Sequence, residues 1–512
     1  MLNEDSIKWA VDFIKNHSDG DLFPKILEID AISNKIDDFV AIVKNTDLSN
    51  LEIGACRRFI VPKDEISYRQ ATQLDLQDSI ILTALIYQYG QSIEDRRLGN
   101  DIVYSYRFAP DSTHGLYSMK DSWNNFWGKA YKKSNECKYV LYCDIADFYN
   151  QIYHHTLENQ LTESGFPNQV KRWIENLIKS TTAGVSRGVP IGPHAIHLLA
   201  EATMIPIDNS LSVQGFHFIR YVDDIIVFFE SKEEASIALG KIASTLDRQQ
   251  RLMLQRHKCK IYEVKDFKSL CIEMIEDRPI NAAEDKILKL VKKYSGGNPY
   301  ITISYNEISE EDWGNISEEI ICKIINEYLD KKEIDYVRLR WFYRRLSQIG
   351  HPGAIEISLS EMQKLGPCLA NICSYLASVQ SIDADRWKNI GSSLLDLLDL
   401  AEVKDNEYFK LSILSLFTKN EHINHFRKLI GMYSSSESFA RREILLSAIQ
   451  NSAYDWLREQ KENFQNMDSW QKIAYIYSIS GLPKDEKKYF INKRVRVDRP
   501  IEHIISKWSK DA

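Results

Sequence analysis

The sequence predicts an α+β protein with a short antiparallel sheet in its first half and helices alone in its second. Three observations predict it. An apolar run, Lys138 to Ala146, carries Asp144 near its end; two strand-like stretches, Phe216–Val222 and Ile225–Phe229, are separated only by Asp223 and Asp224; and beyond Ala282 segments of helical length alternate with turns.

Residues 1 to about 50 read as two amphipathic helices, with Trp9, Ala10, Phe13 and Ile14 at helical spacing and a second run from Ile32 to Val43. From Cys56 to about Tyr131 the chain turns basic and aromatic, with Arg57, Arg58, Lys63, Arg69, Arg96, Arg97, Arg107, Lys129, Lys132 and Lys133. Lys138–Ala146 is a buried strand ending on Asp144. Helices follow as far as a Gly/Pro-rich loop, Gly184–Pro193, and after another helix the Asp223-Asp224 pair falls at a hairpin tip. Ser231 with Glu234 forms a capping box for a helix to about Gln249, and a further strand-helix boundary falls near Lys258–Val264. Strand, helix, hairpin, helix, strand is the order of a ferredoxin-like antiparallel sheet.

The remainder reads as helices: Val337–Ile349, Leu369–Val379, Trp387–Ala401, Tyr408–Phe417, Phe439–Ile449 and Trp470–Ser478. Ala440, Ile444, Leu445, Ala448 and Ile449 share one face, which must pack on neighbours. A solenoid of helix pairs and a plain bundle are equally compatible with this pattern. The domains are drawn at 1–135, 136–281 and 282–512.

Composition bounds the function. At 512 residues, 44% hydrophobic and 27% charged, the chain can hold two or three domains with sizeable cores. No stretch approaches the ~18 apolar residues of a membrane helix, and the N-terminus lacks a signal-peptide layout, so a cytoplasmic protein without membrane contact is expected. The eight cysteines are scattered, with no zinc-ligand spacing. A net charge of −7 argues against a protein that coats nucleic acid, so any such contact must be local.

Phosphoryl transfer to a hydroxyl needs two divalent ions about 3.5–4 Å apart, held by carboxylates that converge from different strands. Mg²⁺ prefers oxygen ligands. Asp144, Asp223 and Asp224, each at an apolar strand end, are the candidates for that set. An isolated Asp-Asp in a hairpin is more often a solvated turn, but further motifs accompany it here.

Tyr221-Val222-Asp223-Asp224 resembles the Tyr-x-Asp-Asp signature of reverse transcriptases, and Asp144-Ile145-Ala146-Asp147-Phe148-Tyr149 resembles the strand bearing their first catalytic aspartate. The resemblance implies fingers and a ferredoxin-like palm. It also implies metal binding by Asp144, Asp223 and the Ile145 carbonyl, with Asp224 in the same charge cluster and Mg²⁺ or Mn²⁺ as the two ions. Tyr149 matches the family's steric gate, which excludes a 2′-hydroxyl, and Asp147, Phe148 and Tyr221 flank the same nucleotide. Ser186 to Pro193 is similar to the family's Gln-Gly loop, where Gly188 permits close backbone approach. Arg187 stands where many members carry glutamine, a departure that points away from template-dependent geometry. Lys258 matches a later lysine that can protonate the pyrophosphate leaving group. Val61-Pro62-Lys63 with Tyr68-Arg69 resembles the basic fingers hairpin that grips the triphosphate. Arg107 is a weaker candidate and reads better as an ion-pair arginine.

Asp147 to His155, Gly188 to Pro193 and Leu198-Leu199-Ala200-Glu201 look like the bacterial abortive-infection polymerases, closest to the prophage-borne members. So does a large all-helical, HEAT-like C-terminal domain replacing the thumb. What the resemblance implies is template-independent synthesis from deoxynucleoside triphosphates in phage defence. The reaction would be primed by a protein hydroxyl in a homo-oligomer, a trimer or hexamer, with the single-stranded DNA product left covalently attached. If tyrosine primes, the first available is Tyr68. The alternative is a template-dependent RNA-directed DNA polymerase of retron, group II intron or other defence type, although a basic thumb helix and a Val-Thr-Gly element after the palm are both missing.

Overall fold

The computed structural model describes all residues except 21, 112–114, 119–121, 276–278, 297–301, 315 and 424. Eight short strands are described in chain order: β1 (Arg57–Pro62), β2 (Tyr68–Gln73), β3 (Phe108–Asp111), β4 (Gly115–Tyr117), β5 (Tyr139–Asp144), β6 (Phe218–Tyr221), β7 (Asp224–Phe229) and β8 (Lys260–Glu263). The chain folds into two compact units. One comprises Met1–Asp21, Ile36–Arg57 and Thr72–Glu276; the other comprises Leu22–Lys35, Arg58–Ala71 and Asp277–Ala512.

The first unit is centred on a four-stranded sheet in the order β6-β7-β5-β8, antiparallel throughout. With helices between β5 and β6 and the helix Lys232–Gln250 between β7 and β8, this is the expected ferredoxin-like topology. The Ser231–Glu234 capping box forms as the sequence predicts. Side chains alternate along the strands. Val140 and Tyr142 of β5, Ile219 of β6 and Ile226 of β7 face one way, onto Phe126, Trp127 and Ala130 of the helix Ser122–Lys133 and onto Phe267 and Cys271 of the helix Val264–Glu273. Asp144 continues the Val140–Tyr142 face at the strand's end, which is how a hydrophobic core delivers a carboxylate to its own rim.

The second unit is mainly helical, as the sequence predicts, and six of its described helices stack in a row. Tyr336–Ile349 packs on Leu369–Ser378, which packs on Glu407–Phe417, then Ser438–Gln450, then Ser469–Ser478, then Pro500–Asp511. A helix inside such a row is covered on two sides, and this changes one expectation. Beyond Ala440, Ile444, Leu445 and Ala448, the helix Ser438–Gln450 also buries Phe439, Arg442, Glu443 and Leu446, so it is enclosed nearly all round rather than on one face.

Two earlier segments join this unit. The run from Ile32 to Val43 is not one helix but two, Ile29–Asn34 and Ile36–Val43, and the chain passes between units there. The hairpin from Arg58 to Ala71, which the sequence division groups with residues 1–135, packs within the helical unit instead. The physical reason is its contacts. Phe59 is buried edge-on to Phe439 with ring centroids 5.9 Å apart, Tyr336 donates from its hydroxyl to Glu65 at 3.0 Å, and Arg340 donates to the Lys63 carbonyl at 2.8 Å.

Glu28, 1% exposed, accepts two hydrogen bonds from Arg442, at 2.8 and 2.6 Å. Removing one partner of a buried pair strands the other charge. Glu28→Ala is therefore expected to destabilise this unit by about 3 kcal/mol, the low end of the usual range because Glu443 also holds Arg442. A guanidinium melt showing a loss under about 1 kcal/mol would contradict this.

Candidate active site

The three aspartates converge at one end of the sheet. Asp144 and Asp224 are direct register partners on β5 and β7. The neighbouring pair, Ile145 with Asp223, is hydrogen-bonded, since the Ile145 N–H donates to the Asp223 carbonyl at 3.1 Å. Asp144 and Asp224 thus form the narrow, non-hydrogen-bonded type of pair, in which side chains lie closest. Like charges facing each other repel, and burial together with the Asp223 charge pushes the Asp224 carboxyl up to about 7, opposed by the Tyr142 hydroxyl that donates to it at 2.5 Å. Asp144, 5% exposed, takes the Lys258 ammonium at 2.7 Å. Burial works against the charge on Lys258, but the hydrogen bond to Asp144 and the charges of all three aspartates outweigh it and raise the ammonium above its usual range.

Asp223 lies in the two-residue turn Val222-Asp223 between β6 and β7. Val222 has φ +52. A positive φ at the first central residue is the pattern of a hairpin turn that normally takes glycine, and a β-branched residue there stores about 1–3 kcal/mol of strain. Something must hold it. The Val222 carbonyl accepts from Arg220 at 2.8 Å, and its N–H donates to the Ser105 hydroxyl at 2.9 Å.

The donor set fits a divalent cation. It is oxygen only, as Mg²⁺ prefers, and its carboxylates repel one another in the absence of a counter-charge. The N–H of Ile145 points at Asp223, and in an extended residue the carbonyl shares that edge. Among the described residues no three His, Cys, Asp or Glu side chains already form a metal cage; Asp144 and Asp224 each have an oxygen engaged by Lys258 and Tyr142 respectively.

The sequence-predicted nucleotide residues next to Asp144 are brought together around one loop. Asp147, at φ +49, starts a short helix, and its carboxylate accepts from Asn150 at 2.7 Å. Phe148 is buried; Tyr149 is half-buried, with its ring edge-on to Phe148. The Ser186–Val189 loop docks on this segment: His154 N–H donates to Ser186 at 3.2 Å, Gly188 N–H to Ile152 at 2.8 Å, and Val189 N–H to the Tyr149 carbonyl at 2.9 Å. Gly188 has φ +98, which side chains rarely adopt, so glycine is required there. Arg187 is exposed and lies over the Tyr153 ring, 5.6 Å from its centroid. Tyr221 packs against Trp123 and Phe126.

Lys63, exposed, and Arg69, half-buried, lie in the other unit with the hairpin described above. Arg107 is an ion-pair arginine: it bridges Glu94 at 2.5 Å and donates to the Leu98 carbonyl. Sequence reasoning missed Tyr142, His197, Ser105 and Arg220. His197 Nδ1 lies 2.6 Å from the Tyr149 hydroxyl, and its ring stacks on Tyr106 with centroids 4.0 Å apart. Burial, helped by His194, pushes its imidazole down to about 3, so it is neutral.

Residues 63–274 match the family model described as reverse transcriptase (RNA-dependent DNA polymerase). No curated protein matches. Among solved structures, apo telomerase from Candida tropicalis is similar at 10% identity and a TM-score of 0.32, over 75% of this chain and 73% of that one. Telomerase from Candida albicans, in complex with a TWJ fragment of telomeric RNA, is similar at 11% identity and a TM-score of 0.30, over 81% and 70%. No helix among the described residues is long and apolar enough to cross a membrane. The match over residues 63–274 means that the chain carries a reverse-transcriptase domain and is a nucleotidyltransferase, a DNA polymerase.

Proposed function

We propose that this polymerase is an abortive-infection enzyme of phage defence, of the prophage-borne kind, that makes DNA from deoxynucleoside triphosphates without a template and starts it on a hydroxyl of its own chain. The observation that carries the reading is an intact carboxylate cluster, joined by Lys258, in a chain whose helices from Tyr336–Ile349 to Pro500–Asp511 include a row of six stacked one on the next. That stacking favours a HEAT-like solenoid over a bundle, in the place of a thumb. Fingers at 1–135 and a palm at 136–281 complete the proposed layout, in a cytoplasmic homo-oligomer.

In this reading Asp144, Asp223, Asp224 and the Ile145 carbonyl would hold two divalent cations. When bound, these lower the pKa of the attacking hydroxyl and neutralise phosphate charge. A hydroxyl oxygen, its proton passing to water, bonds to the α-phosphorus as the bond to pyrophosphate breaks. Lys258, already at Asp144, gives a proton to the departing pyrophosphate. Asp147, Phe148, Tyr149, Arg187, Gly188 and Tyr221 bound the nucleoside, and the resemblance of the basic hairpin gives the role of phosphate contact to Lys63 and Arg69. Arg187, parked on Tyr153, presents no glutamine-like amide to a template base.

The second reading, a template-copying enzyme, is favoured by one observation: the matched family is described as RNA-dependent. Purified protein, freed of nucleic acid and given deoxynucleotides with Mg²⁺ or Mn²⁺, separates the two. Incorporation without template or primer is expected; incorporation only after annealed template and primer are added would sink the proposal.

A further inference from the structure

A buried ionic network lies directly behind the turn that carries Asp223. Arg220, on β6 and 0% exposed, uses all five of its N–H donors. Two go to Asp208, at 2.7 and 2.6 Å; two go to Glu201, at 3.3 and 2.8 Å; and one goes to the Val222 carbonyl, at 2.8 Å. Glu201 also accepts from Arg97 at 2.8 Å and from the Ser105 hydroxyl at 2.6 Å. The Ser105 hydroxyl in turn accepts the Val222 N–H. Two arginines thus face two carboxylates, and the network closes on both backbone polar groups of one residue.

That residue is the strained one. A buried ion network is weak evidence for stability, because apolar residues of the same volume often serve as well. Its use here is geometric. Val222 stands between Tyr221 and Asp223 at φ +52, and a turn left free would relax toward negative φ and re-aim Asp223. The segment that carries Ser105 is itself fixed to β6, since Arg220 N–H donates to the Ile102 carbonyl at 2.8 Å and Tyr104 N–H to the Arg220 carbonyl at 3.0 Å.

We propose that Ser105, Glu201 and Arg220 are positioning residues for nucleotidyl transfer: they clamp Val222 in the left-handed region and so aim Asp223 and Asp224 at Asp144. The inference rests on the carboxylate site proposed above. None of the three touches substrate; each acts through the Val222 backbone.

The test uses the full-length protein and Ser105→Ala, which removes one hydroxyl and little volume. The expected result is a kcat lowered by about tenfold or more, as a misaimed catalytic group gives, with KM for deoxynucleotide within about twofold. Mn²⁺ binding, read by electron paramagnetic resonance without nucleotide, should weaken in parallel. In a Val222→Asn background, whose asparagine tolerates positive φ unaided, the loss from Ser105→Ala should shrink to about threefold or less. Equal losses in both backgrounds, or unchanged kcat and Mn²⁺ binding in Ser105→Ala, would overturn the clamp. If the alanine variant does not fold, Ser105→Cys carries the same comparison, a thiol being too weak an acceptor to hold the amide. An unaffected rate in Asp223→Asn would instead overturn the carboxylate site, so the two failures are distinguishable.

Discussion

Asp223→Asn is expected to lower deoxynucleotide incorporation by about three orders of magnitude or more, the scale seen when a transition-state charge loses its stabiliser. Asparagine keeps the size of the side chain and a carbonyl acceptor; what it removes is the charge that a divalent cation requires. The fold should not suffer. Asp223 sits on a two-residue turn, and its charge raises the pKa of Asp224 across a crowded cluster. Taking that charge away relieves repulsion, so the melting temperature should hold or rise. This separates a catalytic loss from unfolding, because destabilising core substitutions lose both together. Incorporation measured per folded molecule, with circular dichroism on the same sample, checks it. A rate within about tenfold of the parent would remove Asp223 from the chemistry.

Tyr149→Ala is expected to reduce discrimination against ribonucleotides by about a hundredfold, near the upper end of what a pocket's shape alone supplies. A steric gate works only if its ring cannot move aside. Tyr149 is pinned on two sides: Phe148 lies edge-on at 5.5 Å, and His197 lies 2.6 Å from its hydroxyl. His197 is itself stacked flat on Tyr106, with an interplanar angle of 3°. The ring is therefore held from behind. In the proposed site this ring is the one that the sugar would meet. The measurement is the ratio of kcat/KM for a deoxynucleotide to that for the matching ribonucleotide. An unchanged ratio would leave Tyr149 as packing.

The parts legible in the sequence are those written locally. Asp144, Asp223 and Asp224 stand out because apolar strands run up to them and because the motifs Asp144–Tyr149 and Tyr221–Asp224 accompany them. Gly188 is legible through the resemblance carried by the loop from Ser186 to Pro193, and its φ of +98 accounts for the glycine. The capping box at Ser231 spans three residues and needs no tertiary context. What could not be read is what packing decides. Ser105 is 117 residues from the amide it accepts, and nothing in its neighbours announces this. Arg220 reads as one charge in an apolar strand until Glu201 and Asp208 are folded against it. A signal was present in that oddity, since an arginine buried in an apolar strand must be paired. Where the 58–71 hairpin packs was not legible either, because its basic residues announce its charge, while Phe59, which meets Phe439, is one aromatic among many.

The claim that most needs testing is that synthesis begins on the protein itself. The direct measurement is enzyme purified from cells and run on a denaturing gel before and after nuclease digestion. The account predicts a slow, heterogeneous species that nuclease collapses to the 59.5 kDa chain, that protease releases as short peptide-bearing DNA, and that is missing from Asp223→Asn. Enzyme that migrates as bare protein before digestion, yet extends an annealed primer on a template, would contradict it.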